Sequence, residues 1–401
     1  MISTRRYREV LVDTVFNDWL EALKCNQTLN AVRLPFCALK LEQWESLFQV
    51  LPMKANLKLT IEWNDMDYHL LPRACSVLRE AGAEQQAFFE TNFPPRNADI
   101  QLEYKGFSEI FAFMQSDTRS EFSRIMHQLP SASHITSVEL QISMHAIDAA
   151  LSSRIADYIR HSTTLKKLRI TLFRVLFFPV SRSSCWEDIV TSLSQNRSVK
   201  ELHIKLDNIE GQDTGMLAQA VKSNKNMQRV SFVPERSLDA SAFFRVLAEG
   251  VKENVTLLSV VVDVSLVEKE AARDWFVVWD ATRRNSGRLR NAALFVNGHR
   301  CDRTCAEALD WMHRHPALPK QVAELSSVHE PEAIAMIRDA VKSLEGMDDF
   351  MRFAGVVSRR VSCQWREDER VQLSDLNEYC WRRVRGYLRL SDVVGYSSAQ
   401  P

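Results

Sequence analysis

Residues 193–204 spell Leu-Ser-Gln-Asn-Arg-Ser-Val-Lys-Glu-Leu-His-Ile, and this arrangement returns along the chain. Apolar residues occupy its first, seventh, tenth and twelfth places, and the fourth place is Asn in four copies and Ser in one. The other copies cover 23–34, 159–170, 221–232 and 251–262, while residues 129–140 keep the apolar places without the Asn. Copies in phase at a period of about 30 residues indicate a chain built from stacked repeats.

Each copy predicts a helix, a tight turn and a short strand. Apolar residues before the Asn recur at helical spacing, as Trp186, Ile189, Val190 and Leu193 do. The last three apolar places suit a short strand entered through a turn. The Asn falls where the helix ends, and a residue that tolerates left-handed backbone is common there. One helix and one strand cannot bury their own apolar sides, so we expect neighbouring units to stack.

The repeat resembles the leucine-rich repeat, in its ribonuclease-inhibitor-like class. The family pattern L-x-x-L-x-L-x-x-[N/C]-x-L is matched in full from Leu29 to Leu39, with Cys37 in the Asn/Cys place. The resemblance implies an α/β fold: a leucine-rich-repeat solenoid, or horseshoe, of about nine strand–helix units with a helical C-terminal cap. Weaker copies, with strands expected at 57–59, at 100–102 and at Leu289, complete the nine.

Three parts follow from this interpretation. They are an N-terminal helical cap (1–19), the leucine-rich-repeat solenoid (20–315) and a helical C-terminal region (320–401). The repeat stops at Pro316 and Pro319. Beyond them, apolar spacing predicts helices at 331–345, 347–363 and 372–390.

Composition argues against several classes of function. The 401 residues contain 51 Lys plus Arg and 51 Asp plus Glu, so binding of nucleic acid or membrane by charge is not expected. None of the 11 glycines are spaced as G-x-G, which argues against the dinucleotide and phosphate loops. No signal peptide or membrane span is expected, and eight scattered cysteines do not make a disulfide framework. We therefore expect a cytoplasmic protein, with the nucleus as the alternative.

One group of residues has the elements of a zinc site. Cys301, Cys305, His313 and His315 are the ligand types that structural zinc takes. Their spacing differs from that of finger-type sites, which need a longer gap and His-x3–5-His. We expect a core cysteine and surface histidines here, and no metal.

A second group could serve acid–base or magnesium chemistry. Asp65 and Asp67 lie close to His69, directly after a predicted strand. A polar loop between repeat units is the expected structure at that place. No nucleophile or metalloprotease motif is present, so we expect neither catalytic residues nor a cofactor.

The concave face of such a solenoid is the expected binding surface, because stacked strands present alternate side chains there. Its mixed, mildly basic character favours a protein partner over nucleic acid. The charged and polar candidates on this face are Arg33, Glu139, Lys167, Arg169, Glu201, His203, Lys205 and Arg229. The sequence predicts a non-enzymatic scaffold that recognises a protein whose identity it does not contain.

The predicted C-terminal helix over 373–390 supports an alternative. Leu376-x-x-x-Cys380-x-x-x-Val384 resembles the BC-box of SOCS- and VHL-box segments, and the same residues resemble the front half of an F-box. The resemblance implies docking on elongin C or on Skp1, and hence a substrate-recognition subunit of a cullin-type ubiquitin ligase. A helix that only caps the last repeat is the competing interpretation.

Overall fold

A computed structural model describes residues 13–54, 56–63, 69–91, 98–173, 185–207, 211–262, 269–362 and 372–393. In these ranges the strands are β1 (Ala31–Pro35), β2 (Lys58–Trp63), β3 (Ala87–Thr91), β4 (Glu109–Met114), β5 (Ser137–Ser143), β6 (Lys167–Phe173), β7 (Glu201–Leu206), β8 (Arg229–Pro234) and β9 (Ser259–Val262). The helices among the strands are α1 (Asp13–Cys25), α2 (Leu41–Val50), α3 (Leu71–Glu80), α4 (Ala98–Glu103), α5 (Arg119–Gln128), α6 (Ala149–His161), α7 (Cys185–Gln195), α8 (Gly211–Ser223) and α9 (Ser237–Ala248). After them come α10 (Ala272–Val296), α11 (Arg303–Met312), α12 (Leu318–Ser326), α13 (Glu330–Glu345), α14 (Met347–Phe353) and α15 (Glu378–Arg385).

The strands form two sheets, one with the order β1-β2-β3 and one with the order β4-β5-β6-β7-β8-β9. Neighbouring strands from β1 to β3 and from β4 to β7 pair in parallel, as expected where helices connect them. The chain divides into two compact units. The first comprises 1–224, 231–243 and 262–267, and the second comprises 225–230, 244–261 and 268–401.

The structure confirms the strands that the clear repeat copies predict and corrects two of the weaker ones. Residues 100–102 lie in α4, and Leu289 lies in α10. Strands β3 and β4 lie within residues 60–130, where the repeat pattern in the sequence is weakest. Within the described ranges the mixed α/β architecture is confirmed, with nine strands that alternate with helices and a helical C-terminal part.

Gly106 lies beside β3, where the sheet is interrupted before β4. The Phe89 amide donates to the Gly106 carbonyl over 3.0 Å. At this edge of β3 the hydrogen-bond acceptor is therefore a residue outside any strand. A Cβ atom at Gly106 would lie 3.0 Å from the Ala87 carbonyl oxygen. Phe107, next in the chain, stacks on Phe89 with ring centroids 4.8 Å apart. Close backbone approach therefore favours glycine at this position.

The repeated Asn acts through its side chain. At Asn196, Oδ1 accepts from the Ser198 and Val199 amides at 2.8 and 2.7 Å, and Nδ2 donates to the carbonyls of Ile159 and Ser162 in the preceding unit. The left-handed backbone that the sequence predicted for this Asn is not found, because Asn254 is extended, with φ −80°. In the described parts of the chain, Ser327 alone among non-glycine residues has positive φ. The Asn closes its own turn and ties it to the unit before, as Asx turns do.

Helix α10 takes the place of a further turn and strand. Asn285 donates through Nδ2 to the carbonyls of Asn254 and Leu257 at 2.7 and 2.9 Å, and the first of these bonds corresponds to the one that Asn196 and Asn224 make to the fourth repeat position of their preceding units. The chain then stays helical, and the Ser286 hydroxyl donates to the Leu258 carbonyl over 2.8 Å. Helix α10 is 25 residues long and buries Leu289 and its neighbours in the core of the second unit.

The predicted C-terminal helices need correction in extent. Helix α13 matches its prediction, but α14 ends at Phe353, because Gly355 adopts φ +76° and its amide donates to the Arg352 carbonyl. In place of a helix over 372–390, the α-helix covers Glu378–Arg385 only. Two short 3-10 turns flank it, since the side chains of Asp375 and Asp392 each accept from the backbone amide three residues earlier.

Side-chain bonds hold this last segment to the second unit. The Arg385 guanidinium pairs with Asp310 at 2.6 Å, and both side chains are largely buried. The Trp381 indole donates to the Glu345 carbonyl over 2.7 Å. Arg303 donates to the carbonyls of Ala354 and Val393 at 2.8 and 2.6 Å. The tail therefore packs as part of the second unit.

Residues 1–12 of the predicted N-terminal cap lie outside the described residues, and α1 continues past the expected boundary at 19. Phe16, Leu20 and Leu23 of α1 are buried in the core of the three-stranded sheet. None of the helices described is both long and apolar enough to span a bilayer.

Candidate functional site

Most strands have one buried side and one side on which the side chains are half-buried or exposed, which we call the open face. In β5, for example, Val138, Leu140 and Ile142 are buried, whereas Glu139 and Gln141 between them are half-buried. This alternation follows from the two-residue period of a strand. The eight candidates that the sequence assigned to the binding surface lie on the open faces of their strands.

Strand register places the open-face residues of β4–β7 in three rows. Because the strands are parallel and in register, residues of one row are neighbours across the sheet. The first row is Glu109, Ser137, Lys167 and Glu201; the second is Phe111, Glu139, Arg169 and His203; the third is Phe113, Gln141, Thr171 and Lys205. Six of the eight predicted binding residues therefore share one surface.

Ion pairs cross the strands within these rows. Arg169 Nη1 lies 2.5 Å from Glu139 Oε2. The side-chain amide of Gln141 donates through Nε2 to Glu139 Oε1 over 3.1 Å. Lys167 Nζ lies 3.7 Å from Glu201 Oε2. Three acidic and three basic side chains occupy the three rows, so this surface has no net charge.

His203 lies at the end of the charged second row. Burial lowers the pKa of His203, the neighbouring Arg169 guanidinium lowers it further, and the Glu139 carboxylate acts in the opposite direction. A lowered pKa keeps the imidazole neutral at physiological pH, when it can both donate and accept a hydrogen bond.

Three aromatic residues on this surface were missed by the sequence analysis. Phe111 and Phe113 stand on the open face of β4, and Phe173 ends β6 on the same face. The rings of Phe113 and Phe173 stack with centroids 5.7 Å apart and an angle of 5° between their planes. All three are half-buried. The alternation Ile-Phe-Ala-Phe-Met in 110–114 could have revealed two of them, had β4 been recognised as a strand.

Arg33 belongs to the open face of the other sheet. It pairs with Glu62 at 2.5 Å and with Glu90 at 2.8 Å, so one guanidinium spans β1, β2 and β3. The hydrogen bond to Glu62 and the charge of Glu90 raise the pKa of Arg33. Arg33 is therefore not brought together with the β4–β7 candidates.

Arg229, the eighth candidate, is exposed at the start of β8 and belongs to the second unit. It precedes Ser231 and Val233, which also lie on the open face of that strand.

The residues of the zinc-type group are not brought together as a metal site. Cys305 is buried in the core, as expected, but His315, expected at the surface, is buried too. Its Nε2 faces the Thr256 carbonyl at 3.2 Å and its Nδ1 accepts from the Ala317 amide at 3.1 Å. Asp65 and Asp67 lie outside the described residues, and within the described ones no group of His, Cys, Asp and Glu could hold a metal ion.

The three predicted adaptor-docking residues differ in position. Cys380 and Val384 are exposed on α15, with Val384 41% accessible. Leu376 precedes Asn377, whose side chain caps the helix, so Leu376 lies outside α15 and is half-buried. The single helical face predicted for all three is therefore wrong. Trp381 is the residue of α15 that is buried, against Phe350.

No protein family profile matches the chain. No curated protein matches it in sequence. Among solved structures, "Leiomodin-1 Actin-Binding Site 2 (ABS2)" is similar over 45% of this chain and 96% of that chain, with 18% sequence identity and a TM-score of 0.34. A likeness of that size does not establish a shared fold.

Proposed function

We propose that the chain is a leucine-rich-repeat solenoid of the ribonuclease-inhibitor-like class that binds a protein partner on the open face of β4–β7. It acts by recognition, without chemistry of its own, and in the cytoplasm. The observation that carries the proposal is the cluster of Phe111, Phe113 and Phe173 beside the Glu139–Arg169 pair.

Aromatic side chains next to an arginine are typical of the residues that dominate binding energy in protein interfaces. The Glu139–Arg169 pair fixes both side chains before a partner arrives, so less rotamer entropy is lost on binding. Equal numbers of acidic and basic groups would attract a phosphate backbone weakly. A protein segment that places an apolar side chain against the phenyl rings and polar groups along the second row fits this surface best.

The test compares proteins captured from cells by the tagged full-length chain and by two variants. Phe111→Ser with Phe113→Ser removes two open-face rings, and Met53→Ser removes an apolar side chain that is 78% exposed elsewhere. We expect partners that wild type and Met53→Ser retain and the double variant loses. With a purified partner the double variant should bind at least about tenfold more weakly.

Circular dichroism melting must show that the double variant is folded. Exchanging the charges, Glu139→Arg with Arg169→Glu, keeps the ion pair while reversing its direction, and should also weaken binding. Retention of the same partners by all variants would rule out this surface.

A second candidate is the ubiquitin-ligase receptor. It is supported by the exposure of Cys380 and Val384 on α15, because a helix that only capped the repeats would bury them. Tyr379 and Tyr387 are 77% and 81% exposed on the same short segment. Elongin C or Skp1 would be the docking partner in that case.

Titration calorimetry of the full-length chain with purified elongin B/C and with Skp1 tests this candidate. Binding that Cys380→Ala with Val384→Ala abolishes would support it. The double variant spares Trp381 and Arg385, which hold the helix in place. No heat with either complex would refute it without affecting the proposal for the open face.

A further inference from the structure

Helix α10 exposes a group of aromatic side chains near its N-terminus. Trp275 stacks on Trp279 with centroids 6.3 Å apart, and Phe276 lies 5.7 Å from Trp279. Phe276 is 55% exposed and Trp279 43% exposed. Large aromatic residues exposed together on one helix are uncommon and mark interaction surfaces.

The opposite side of α10 is fixed in the core of the second unit. Val278, Ala281 and Leu289 are buried along that side. Asn285, on that side, bonds to the carbonyls of Asn254 and Leu257, whereas the exposed Ser286, on the aromatic side, donates to the Leu258 carbonyl. The aromatic group therefore stands on a rigid support, which reduces the entropy lost when a ligand binds.

A basic segment follows the aromatic group on the same side of the helix. Arg283 lies over the Trp279 ring, with its guanidinium carbon 5.3 Å from the centroid, and pairs with Asp280 at 3.5 Å. Arg290 is exposed two turns further on. Positions 272, 276, 279, 283 and 290 form one stripe at helical spacing. Helix α10 contains five arginines and two aspartates, an excess of three positive charges.

We propose that this stripe of α10 binds an acidic amphipathic segment of a partner protein. Apolar side chains of the segment would lie against Trp275, Phe276 and Trp279, and its carboxylates would pair with Arg283 and Arg290. Those two positions are about 10 Å apart along the helix, which is two turns of a helical ligand. Arg283 and Arg290, the charged residues of the stripe, favour an acidic partner over a basic one. The proposal uses no residue of the open face of β4–β7 and does not depend on the function proposed for it.

Fluorescence anisotropy with the full-length chain tests the proposal. The probe is a labelled peptide of about 18 residues, the length of the stripe, with leucines at helical spacing and glutamates elsewhere. Its twin carries lysine in place of glutamate. We expect micromolar binding of the acidic peptide and at least about tenfold weaker binding of the twin.

Matched variants locate the binding. Arg283→Glu with Arg290→Glu, and separately Phe276→Ser, should each weaken the acidic peptide at least about tenfold. Arg245→Glu with Lys252→Glu makes the same change in net charge at exposed positions outside α10, and should change affinity less than twofold.

Two results would overturn the proposal. One is no binding of the acidic peptide up to about 100 µM, or equal binding of its twin. The other is that α10 variants leave the peptide unaffected but abolish binding to phosphatidylserine vesicles or to a single-stranded oligothymidine, which would make the stripe a membrane or nucleic-acid site.

Discussion

His203 responds to its two charged neighbours in opposite directions. Arg169→Gln should raise the pKa of His203, because a cation that disfavours the imidazolium is removed. Glu139→Gln should lower the pKa further, because the favourable carboxylate is lost. Histidine NMR titrations of wild type and both variants check this. Shifts in the same direction for the two variants would contradict the assigned geometry.

The same lowered pKa affects stability. Since His203 binds a proton less readily in the folded chain than in the unfolded one, protonation favours unfolding. Its effect is absent well above pH 6.5, grows as the pH falls through about 6.5, and levels off below the folded pKa. Urea unfolding from pH 7.5 to 5 should show a smaller loss of stability in His203→Gln than in wild type.

Asn196 illustrates how much one repeated side chain contributes. Asn196→Ala should lower the free energy of unfolding by about 1–3 kcal/mol, because buried amides and carbonyls of two units lose their partner. The matched control is Asn26→Ala. That side chain is exposed and closes its own turn through the Thr28 and Leu29 amides, so a smaller loss is expected in denaturant melts.

At the scale of elements, the segment that pairs with the edge of β3 depends on Gly106. Gly106→Ala should destabilise the chain by about 1–3 kcal/mol, because the new methyl would lie 3.0 Å from the Ala87 carbonyl oxygen. Gly287→Ala is the control, since that glycine lies in α10 with open space around its Cβ position. It should stabilise the chain by about 0.5–1 kcal/mol. Thermal melts of both variants measure these changes in stability. If Gly106→Ala is as stable as wild type, the close approach to Ala87 is contradicted.

The attachment of α15 depends on a buried ion pair. Asp310→Ala leaves the Arg385 guanidinium without its carboxylate and the Leu390 amide without its acceptor, at a cost of about 3–5 kcal/mol. Asp280→Ala breaks an exposed pair and should cost about 0–1 kcal/mol. Limited proteolysis should cleave 372–393 faster in Asp310→Ala alone.

Elements with a strict repeat were predictable from the sequence, and elements that depend on single side chains were not. Apolar alternation placed Glu139, Arg169 and His203 on one side of their strands correctly, because burial leaves only one register. Phe111 was missed because β4 has lost the Asn that marks a unit. The ends of the C-terminal helices depend on Asp375 and Gly355, whose local bonds outweigh the helical spacing around them.

At the scale of the whole molecule, the balance of charges predicts how solubility depends on pH. The chain has no net charge at neutral pH and an isoelectric point of about 7.1. Repulsion between molecules is therefore weakest near pH 7, and solubility should pass through a minimum there. Polyethylene glycol precipitation midpoints measured from pH 5.5 to 9 should be lowest close to pH 7. A monotonic trend across that range would contradict this expectation.

The Asn bonds also bear on how such a chain can lengthen. Asn196 and Asn224 are 28 residues apart, and the second donates to the backbone carbonyl of the first. A segment duplicated from one Asn to the next would arrive with a donor at one end and a matching acceptor at the other, so insertion would leave no unmet bond at the joint. Beyond Asn285 the helix continues to Val296, so the turn that closes the other copies is replaced by helix there. Tandem duplication is thus compatible with the bonding between the Asn-bearing repeats.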